Sequence, residues 1–564
     1  MIVQLLMKAR SIIRILRTGI LILLAFCGDV IAETLQLEHT SQPRIVNIYN
    51  FVRNSDYRVA DSEAVLFETT RKQIELIEPT GLPATWALQY DALINPRYQK
   101  LFKEQLGTND EIAAWWEIPR PLVEKAGLKW RGHDHEWDST ANVGFSPGYT
   151  PAERRKLVDV YMADFKAVFG YYPRSVGSWF IDEVTLEYMA KQYGIIASCN
   201  CKDQVGTDGY TLWGGFWNQA YYPSRLNAYM PAQTRAAQID VPIFRMLGSD
   251  PIYQHGTTSG MWTLEPVYPA AGGSADWVAW FMNNLIQQPA LAFGYTQAGQ
   301  ENSFGWEAMK TGLTLQIVLL AGQAKAGEIQ VMTLAQAGKW FRDHYALTPP
   351  TSVVALTDWK HEDRKTIWYD SRFYRINVLW EKGTFFIRDL HRFDENVVSV
   401  THDAALTNKS LEFGTLPVMD GARWSGTEKA GIWPVLLSAD GGANNLIPEG
   451  PPVVKELNRT DLSIMQPLHG DGTFTMVCEE TKVTCTGVDG QGQPLRWALE
   501  MVGGAQQKAA VRMVASNSVV YHRFDADYQL RLSPNAGSCQ QFSNAVIRLN
   551  PNRLGKLGLR LGGF

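Results

Sequence analysis

Residues 175–198 read Ser175-Val-Gly-Ser-Trp-Phe-Ile-Asp182-Glu-Val-Thr-Leu-Glu-Tyr-Met-Ala-Lys-Gln-Tyr-Gly194-Ile-Ile-Ala-Ser198. The first seven residues are an apolar run of strand length, which predicts a buried strand. Residues 184–193 carry helix-forming side chains, and Gly194 is a helix stop. Residues 195–198 predict a second strand. Strand, helix and strand in immediate succession make a βα unit of a parallel sheet. Just upstream, Thr150-Pro-Ala-Glu153 predicts a capping box with proline at the first helical position. Leu157, Tyr161, Phe165 and Phe169 then recur every four residues as one apolar stripe.

The same alternation runs from about residue 43 to 345. Segments 44–51, 82–88, 111–116, 241–247 and 290–295 read as strands, and 128–132 as an extension of the sheet. Repeated βα units with apolar strands predict a closed or nearly closed α/β barrel at this length. In such barrels the βα loops converge at the C-terminal strand ends, so the chemistry is expected there. Beyond Leu347-Thr-Pro-Pro-Thr-Ser352 the helical periodicity stops. Segments near 366–369, 373–380, 384–388, 397–401, 474–478 and 510–514 alternate or are β-branched, which predicts an all-β, sandwich-like region. The expected organisation is a leader at 1–32, a barrel at 33–347 and one or two β modules at 353–564.

The composition narrows the classes. The chain has 564 residues, 53 Lys+Arg, 57 Asp+Glu and a net charge of −4, which argues against a nucleic-acid binder. Six cysteines are too few for a disulfide-built scaffold. The 19 Trp, 22 Tyr and 23 Phe are an aromatic excess, suited to a core or to a surface that stacks on sugar rings. At the N-terminus, Lys8, Arg10, Arg14 and Arg17 precede the apolar run 19–26, and Val30-Ile-Ala32 offers small residues for cleavage. This predicts a secretory signal peptide cut after Ala32 and a secreted or periplasmic protein. Cys27 gives a lipoprotein alternative. The apolar run is too short for a membrane span, and segment 313–320 is short and carries polar residues. Cys478 and Cys485 flank an expected hairpin and suit a disulfide in an oxidising compartment. Cys199 and Cys201 read as small buried residues at a strand end.

Acids stand at the expected strand ends: Asp182-Glu183, Asp250, and Glu301 within Gly294-Tyr-Thr-Gln-Ala-Gly-Gln-Glu-Asn-Ser-Phe-Gly-Trp306. Cleavage of a glycosidic bond needs two carboxyl groups, one to donate a proton and one to attack or to activate water. Other roles compete with this. Asp182 also suits the N-cap of the following helix. Asp250 precedes Pro251 and also suits a turn. Glu301 also suits a solvated loop. Glu265, in Trp262-Thr-Leu-Glu-Pro266, is a further candidate.

The order of these motifs is similar to a known group of barrels. The stretch from Phe169-Gly-Tyr-Tyr-Pro-Arg-Ser175 to Gly194 resembles both polysaccharide deacetylases and glycoside hydrolase families 57 and 38, with Trp179-Phe-Ile-Asp182 at the place of a Trp-x-x-acid nucleophile. Segment 299–306 resembles the stretch near the proton donor of the family 57-like barrels. The resemblance covers roughly residues 43–345 through short motifs. It implies a distorted (β/α)7-type barrel and a retaining glycoside hydrolase with Asp182 as nucleophile and Glu301 as acid/base; a slip of one residue would put Glu183 in place of Asp182. The deacetylase metal motifs are missing: the first strand ends Tyr49-Asn50-Phe51 without an Asp pair, and segment 111–119 has no histidine.

Further residues suit a sugar cleft. His133, His135 and Asp138 share one polar loop that would contact hydroxyls, with metal ligation as a weaker alternative. Trp213, Trp217 and Tyr221 lie in an aromatic loop suited to stacking or to plain packing, and Arg225 suits a substrate carboxylate. Trp179, Gln300 and Trp306 adjoin the chosen acids. No phosphate loop, serine elbow or nucleotide fingerprint is present. The sequence therefore predicts a secreted glycoside hydrolase acting on a carbohydrate without metal or other cofactor. The alternatives are a metal-dependent deacetylase-like esterase or amidase and a non-catalytic carbohydrate-binding protein. The sequence sets no oligomeric state.

Overall fold

The computed structural model describes residues 42–256, 261–543 and 545–563. The expected leader, its cut after Ala32 and Cys27 lie outside the described residues.

Seven parallel strands build a barrel: β1 (Arg44–Val52), β2 (Ala84–Leu88), β3 (Glu111–Trp115), β4 (Ser175–Gly177), β5 (Ala197–Asn200), β6 (Ile243–Arg245) and β7 (Gly294–Ala298). They are laddered in the order β7-β1-β2-β3-β4-β5-β6. Among the described residues no ladder joins β6 to β7. Instead Ala220–Tyr221 pairs antiparallel with β6. Side chains span the seam: the Leu247 amide donates to Gln297 Oε1 at 2.8 Å, and Gln219 Nε2 donates to the Tyr295 carbonyl at 3.3 Å. The barrel is the distorted seven-strand kind that the sequence resemblance implies.

Alternation along β1 sorts its side chains. Tyr49 and Phe51 join Trp115, Cys199, Phe244 and Tyr295 inside the barrel, while Val46, Ile48 and Val52 pack outward against helices. Gly177 makes room for this filling, because a Cβ there would collide with the Tyr49 hydroxyl. The surrounding helices include Ser62–Ile77, Pro151–Phe169, Glu183–Tyr193, Ala275–Gln287, Trp306–Lys325 and Leu334–His344. The Thr150–Glu153 capping box forms as expected. Residues 128–132 form no strand, because both edges of β3 are already taken by β2 and β4.

From Thr351 the chain is almost wholly antiparallel β. One ten-stranded and one eight-stranded sheet pack face to face, with Phe385 of the first against Phe474 of the second. Residues 397–401 stay irregular despite their β-branched side chains; the Ser399 amide bonds to the Leu226 carbonyl rather than to a strand. A helix at Gly504–Ala510, unexpected from sequence, precedes strand Val511–Ala515. Cys478 and Cys485 are free and buried, so the expected disulfide is absent. The register sets Cys478 opposite Val483 and Cys485 opposite Met476.

The β region closes over one side of the barrel, and residues from Arg44 onward form one compact unit. Trp217 stacks on Trp368 at 3.8 Å and 1°, both buried. Arg375 bridges Asp389 and, at 2.5 Å, Asp203 of the barrel. Among the described residues no helix is long and apolar enough to cross a membrane.

Candidate active site

The chain just past the strand ends carries a buried cluster of charge. Arg53 follows β1, and its guanidinium is 0 % exposed. It grips Glu117 with two hydrogen bonds of 2.8 and 2.7 Å, bonds Glu301 at 2.6 Å, and lies 3.6 Å from Asp56. Glu117 stands two residues past β3 and also accepts from Gln89 Nε2 at 2.9 Å. Burial alone would lower the basicity of Arg53, but Glu117 and Glu301 outweigh it and hold the guanidinium well above its ordinary range. Its face covers the Trp137 ring at 4.5 Å. Burial likewise works to raise the Asp56 carboxyl, but Arg58 and Arg53 hold it below the usual range.

Local backbone explains how Glu301 reaches this place. Gly299 adopts φ 98°, a left-handed value open to glycine, and a Cβ there would strike the Tyr49 carbonyl. The chain turns sharply off β7. Asn302 then ties the turn to β1, accepting from the Arg53 amide at 3.1 Å and donating to the Arg53 carbonyl at 2.8 Å.

Glu265 sits on the long loop after β6. The loop is pinned by the Leu264 amide on the Leu247 carbonyl and by Gln316 on the Leu264 carbonyl. The carboxyl accepts from Thr263 Oγ1 at 2.9 Å. Burial pushes its pKa up, the Lys202 charge works against that, and the charge of Glu301 pushes it up further. Lys202 lies two residues past β5. Tyr268 stands close enough to Glu265 and Glu301 for both to act on its hydroxyl, which burial already raises. Asp208, 3.7 Å from Arg58, is raised by burial. Glu265 and Glu301 thus stand past different strand ends in different surroundings, Glu265 buried with its pKa pushed up and Glu301 ion-paired with Arg53. That contrast suits proton donation by one and a charged role for the other.

Of the residues expected from sequence, Glu301 and Gln300 belong to this cluster; the Gln300 carbonyl accepts from Gln73 and its Oε1 accepts from the Glu301 amide. Trp179 adjoins it, packed edge-on against Phe51 and Trp115 at 5.1 and 5.5 Å. Trp306 begins the helix after the Glu301 turn and is half-buried. The loop of His133, His135 and Asp138 reaches the rim. His135 stacks on Tyr57 at 4.8 Å, His133 lies 3.9 Å from Asp138, and Asp138 accepts from the Thr140 amide and hydroxyl. Among the described residues no three of His, Cys, Asp and Glu form a group that could hold a metal ion.

Other expected residues stand elsewhere. Asp182 is 0 % exposed, and both its oxygens are committed: Arg154 at 3.0 Å, the Thr185 amide at 2.9 Å, the Thr185 hydroxyl at 2.7 Å and Ser146 at 2.5 Å. It caps the helix Glu183–Tyr193, the N-cap role that the sequence also suits. Glu183 bonds His402 at 2.9 Å in the β region, and burial raises its pKa. Asp250 accepts from two backbone amides and from the indoles of Trp277 and Trp359, the turn role that Pro251 suggests. The aromatic loop faces the β region. Trp213 bonds Asp420, Trp217 stacks on Trp368, Tyr221 bonds the Ala228 carbonyl, and Arg225 pairs with Glu187. Most large aromatics fill the core, Trp86, Trp115, Trp116 and Trp277 among them. The aromatic excess is therefore chiefly packing.

Sequence reasoning missed Arg53, Glu117 and Lys202. Each stands one or two residues beyond a strand, so the strand-end rule that selected Asp182 also covers them.

No family model matches the chain, and no curated protein sequence matches it. Several solved structures are similar to it. One is described as a glycoside hydrolase/deacetylase from Parabacteroides distasonis, at 15 % identity and TM-score 0.49, over 66 % of this chain and 91 % of that one. Another is described as a polysaccharide deacetylase from Mycobacterium smegmatis, at 11 % identity and TM-score 0.35, over 55 % and 93 %. A third is a glycoside hydrolase family 57 branching enzyme from Thermococcus kodakaraensis, at 10 % identity and TM-score 0.29, over 54 % and 71 %. Both kinds of enzyme that the sequence resembles are therefore among its structural neighbours, at identities that carry nothing about the chemistry.

Proposed function

We infer that the protein is an exported carbohydrate-active hydrolase that cleaves glycosidic bonds with Glu265 and Glu301. The observation that carries this reading is the unequal pair at the barrel mouth. Burial favours the protonated form of Glu265, as a general acid requires, while Glu301 is ion-paired with Arg53 at 2.6 Å. Glu265 donates a proton to the leaving oxygen. Glu301 faces the anomeric carbon, as nucleophile or as the base that activates water. Arg53 and Glu117 position Glu301 and do not themselves react. Past the end of β1 the acid present, Asp56, is paired with Arg58 and lies 3.6 Å from Arg53.

Glu265→Gln and Glu301→Gln test the reading on a panel of glycans. Wild type is expected to release reducing ends, with each variant slower by about 10²-fold or more, the scale of lost acid–base catalysis. Release of acetate that a chelator abolishes would replace this reading with the deacetylase one. Binding without turnover would replace it with a carbohydrate-binding protein.

A further inference from the structure

A second concave surface lies where the barrel meets the β region. It is a groove of about 720 Å³, within the size range of ligand sites. Helix Ala275–Gln287 lines it with Asp276 and Trp280, and residues 356–365 line it with Trp359, His361, Asp363 and Arg364 among others. It shares no lining residue with the cluster around Arg53 and Glu301.

Both tryptophans of the groove are half-buried and held by their own N–H. The Trp280 indole donates to Thr357 Oγ1 at 3.0 Å, which ties the helix to the loop, and the Trp359 indole donates to Asp250 at 2.8 Å. The loop is knotted on Asp358, which accepts from the amides of Lys360, Glu362 and Arg364 and from the Tyr253 hydroxyl. The Lys360 ammonium lies 3.9 Å from the centre of the Trp262 ring, 4.0 Å from that of Tyr253 and 5.1 Å from that of Trp359, a cation–π clasp on the same loop. The rings are therefore set before a ligand arrives, and little conformational freedom is left to lose on stacking. The charged groups of the lining are of mixed sign, Asp276, Asp358 and Asp363 against Arg364 and Lys365. Asp276 and His361 are exposed and form no ion pair among the described residues.

We propose that this groove holds a neutral glycan chain at a site apart from the cleft. The inference rests on the function proposed above for its class of ligand, carbohydrate, and for nothing else. A sugar ring has apolar C–H faces, which suit fixed indoles. Its rim of hydroxyls both donates and accepts, which suits a border that carries carboxylates, imidazole and guanidinium together. A polyanion would meet the three acids, and a polycation the two bases.

The test is affinity electrophoresis of the whole protein in native gels that contain soluble starch, xylan, laminarin or galactomannan. Bound protein is retarded, and retardation against polysaccharide concentration gives Kd. Wild type is expected to be retarded by at least one of the four. Trp280→Ala is expected to bind that polysaccharide at least about tenfold more weakly, the scale of a lost interface tryptophan. Asp276→Ala combined with His361→Ala changes exposed side chains alone and is expected to weaken binding about fivefold, the scale of one hydrogen bond. Circular dichroism checks that Trp280→Ala is folded; if it is not, the exposed pair decides. Retardation by none of the four, or unchanged binding in either folded variant, would overturn the proposal. The two readings fail separately. If no glycan is cleaved while the groove variants lose retardation, the glycosidase reading falls and the groove stands. If Glu301→Gln slows hydrolysis while nothing is retarded, the groove falls alone.

Discussion

Replacing Asp182 separates a structural carboxylate from a catalytic one. Its oxygens accept from the Thr185 amide, the hydroxyls of Thr185 and Ser146, and the Arg154 guanidinium, all buried. Asp182→Ala removes an N-cap, about 1 kcal/mol. It also strips a buried guanidinium of its counterion, a loss of about 3–5 kcal/mol. The two overlap, because Arg154 keeps hydrogen bonds to the carbonyls of Ser146, Tyr149, Thr401 and Ala404. A total of roughly 3–5 kcal/mol is therefore expected for Asp182→Ala. Asp182→Asn keeps a cap acceptor and loses the charge, so about 1.5–3 kcal/mol is expected. The assay is urea denaturation followed by fluorescence and far-ultraviolet circular dichroism, combined with specific activity per folded molecule at low temperature. Both variants should lose stability while the folded fraction keeps activity near wild type. An Asp182→Asn protein as stable as wild type but at least 100-fold less active would refute the structural role and restore Asp182 as the nucleophile.

Three other outcomes follow from the same contacts. Burial raises the Glu265 pKa, so loss of activity with rising pH should set in above the usual carboxylate range; Lys202→Met should move that limb higher and Glu301→Gln lower, and a limb fixed in both variants would contradict the assignment. All five described thiols are buried, and burial pushes Cys201 to about 11 and Cys485 to about 12. A thiol reagent followed by peptide mapping should leave these five unlabelled in the native protein and label each of them after denaturation without reductant; Cys478 and Cys485 unlabelled after denaturation would reveal a disulfide. Trp368→Ala should cost about 3–5 kcal/mol in denaturant, because the ring lies flat on Trp217 and its indole donates to the Pro251 carbonyl; a loss under about 1 kcal/mol would show that the barrel does not depend on this contact.

What the sequence determined by itself is local or periodic. The capping box at Thr150–Glu153, the stripe from Leu157 to Phe165, the apolar strands and the end of helical periodicity near Leu347 are short-range patterns. Backbone geometry makes these readable without knowing what lies opposite. The rule that chemistry gathers at strand ends also found Glu301 and Gln300. Where the edges of a sheet decided the outcome, the pattern failed: residues 128–132 and 397–401 have the composition of strands but no free partner.

The role of each acid was a tertiary decision. Asp182, Asp250 and Glu301 look alike in the sequence, as acids just past strands. The fold gives Asp182 a buried arginine and a helix end, Asp250 two indoles and a turn, and Glu301 a guanidinium brought from 248 residues away. It likewise turns most tryptophans into core. Strand formation depends on neighbours along the chain. Whether a carboxyl is capped, paired or left with a proton depends on burial and on charges that only the closed barrel brings within a few ångströms.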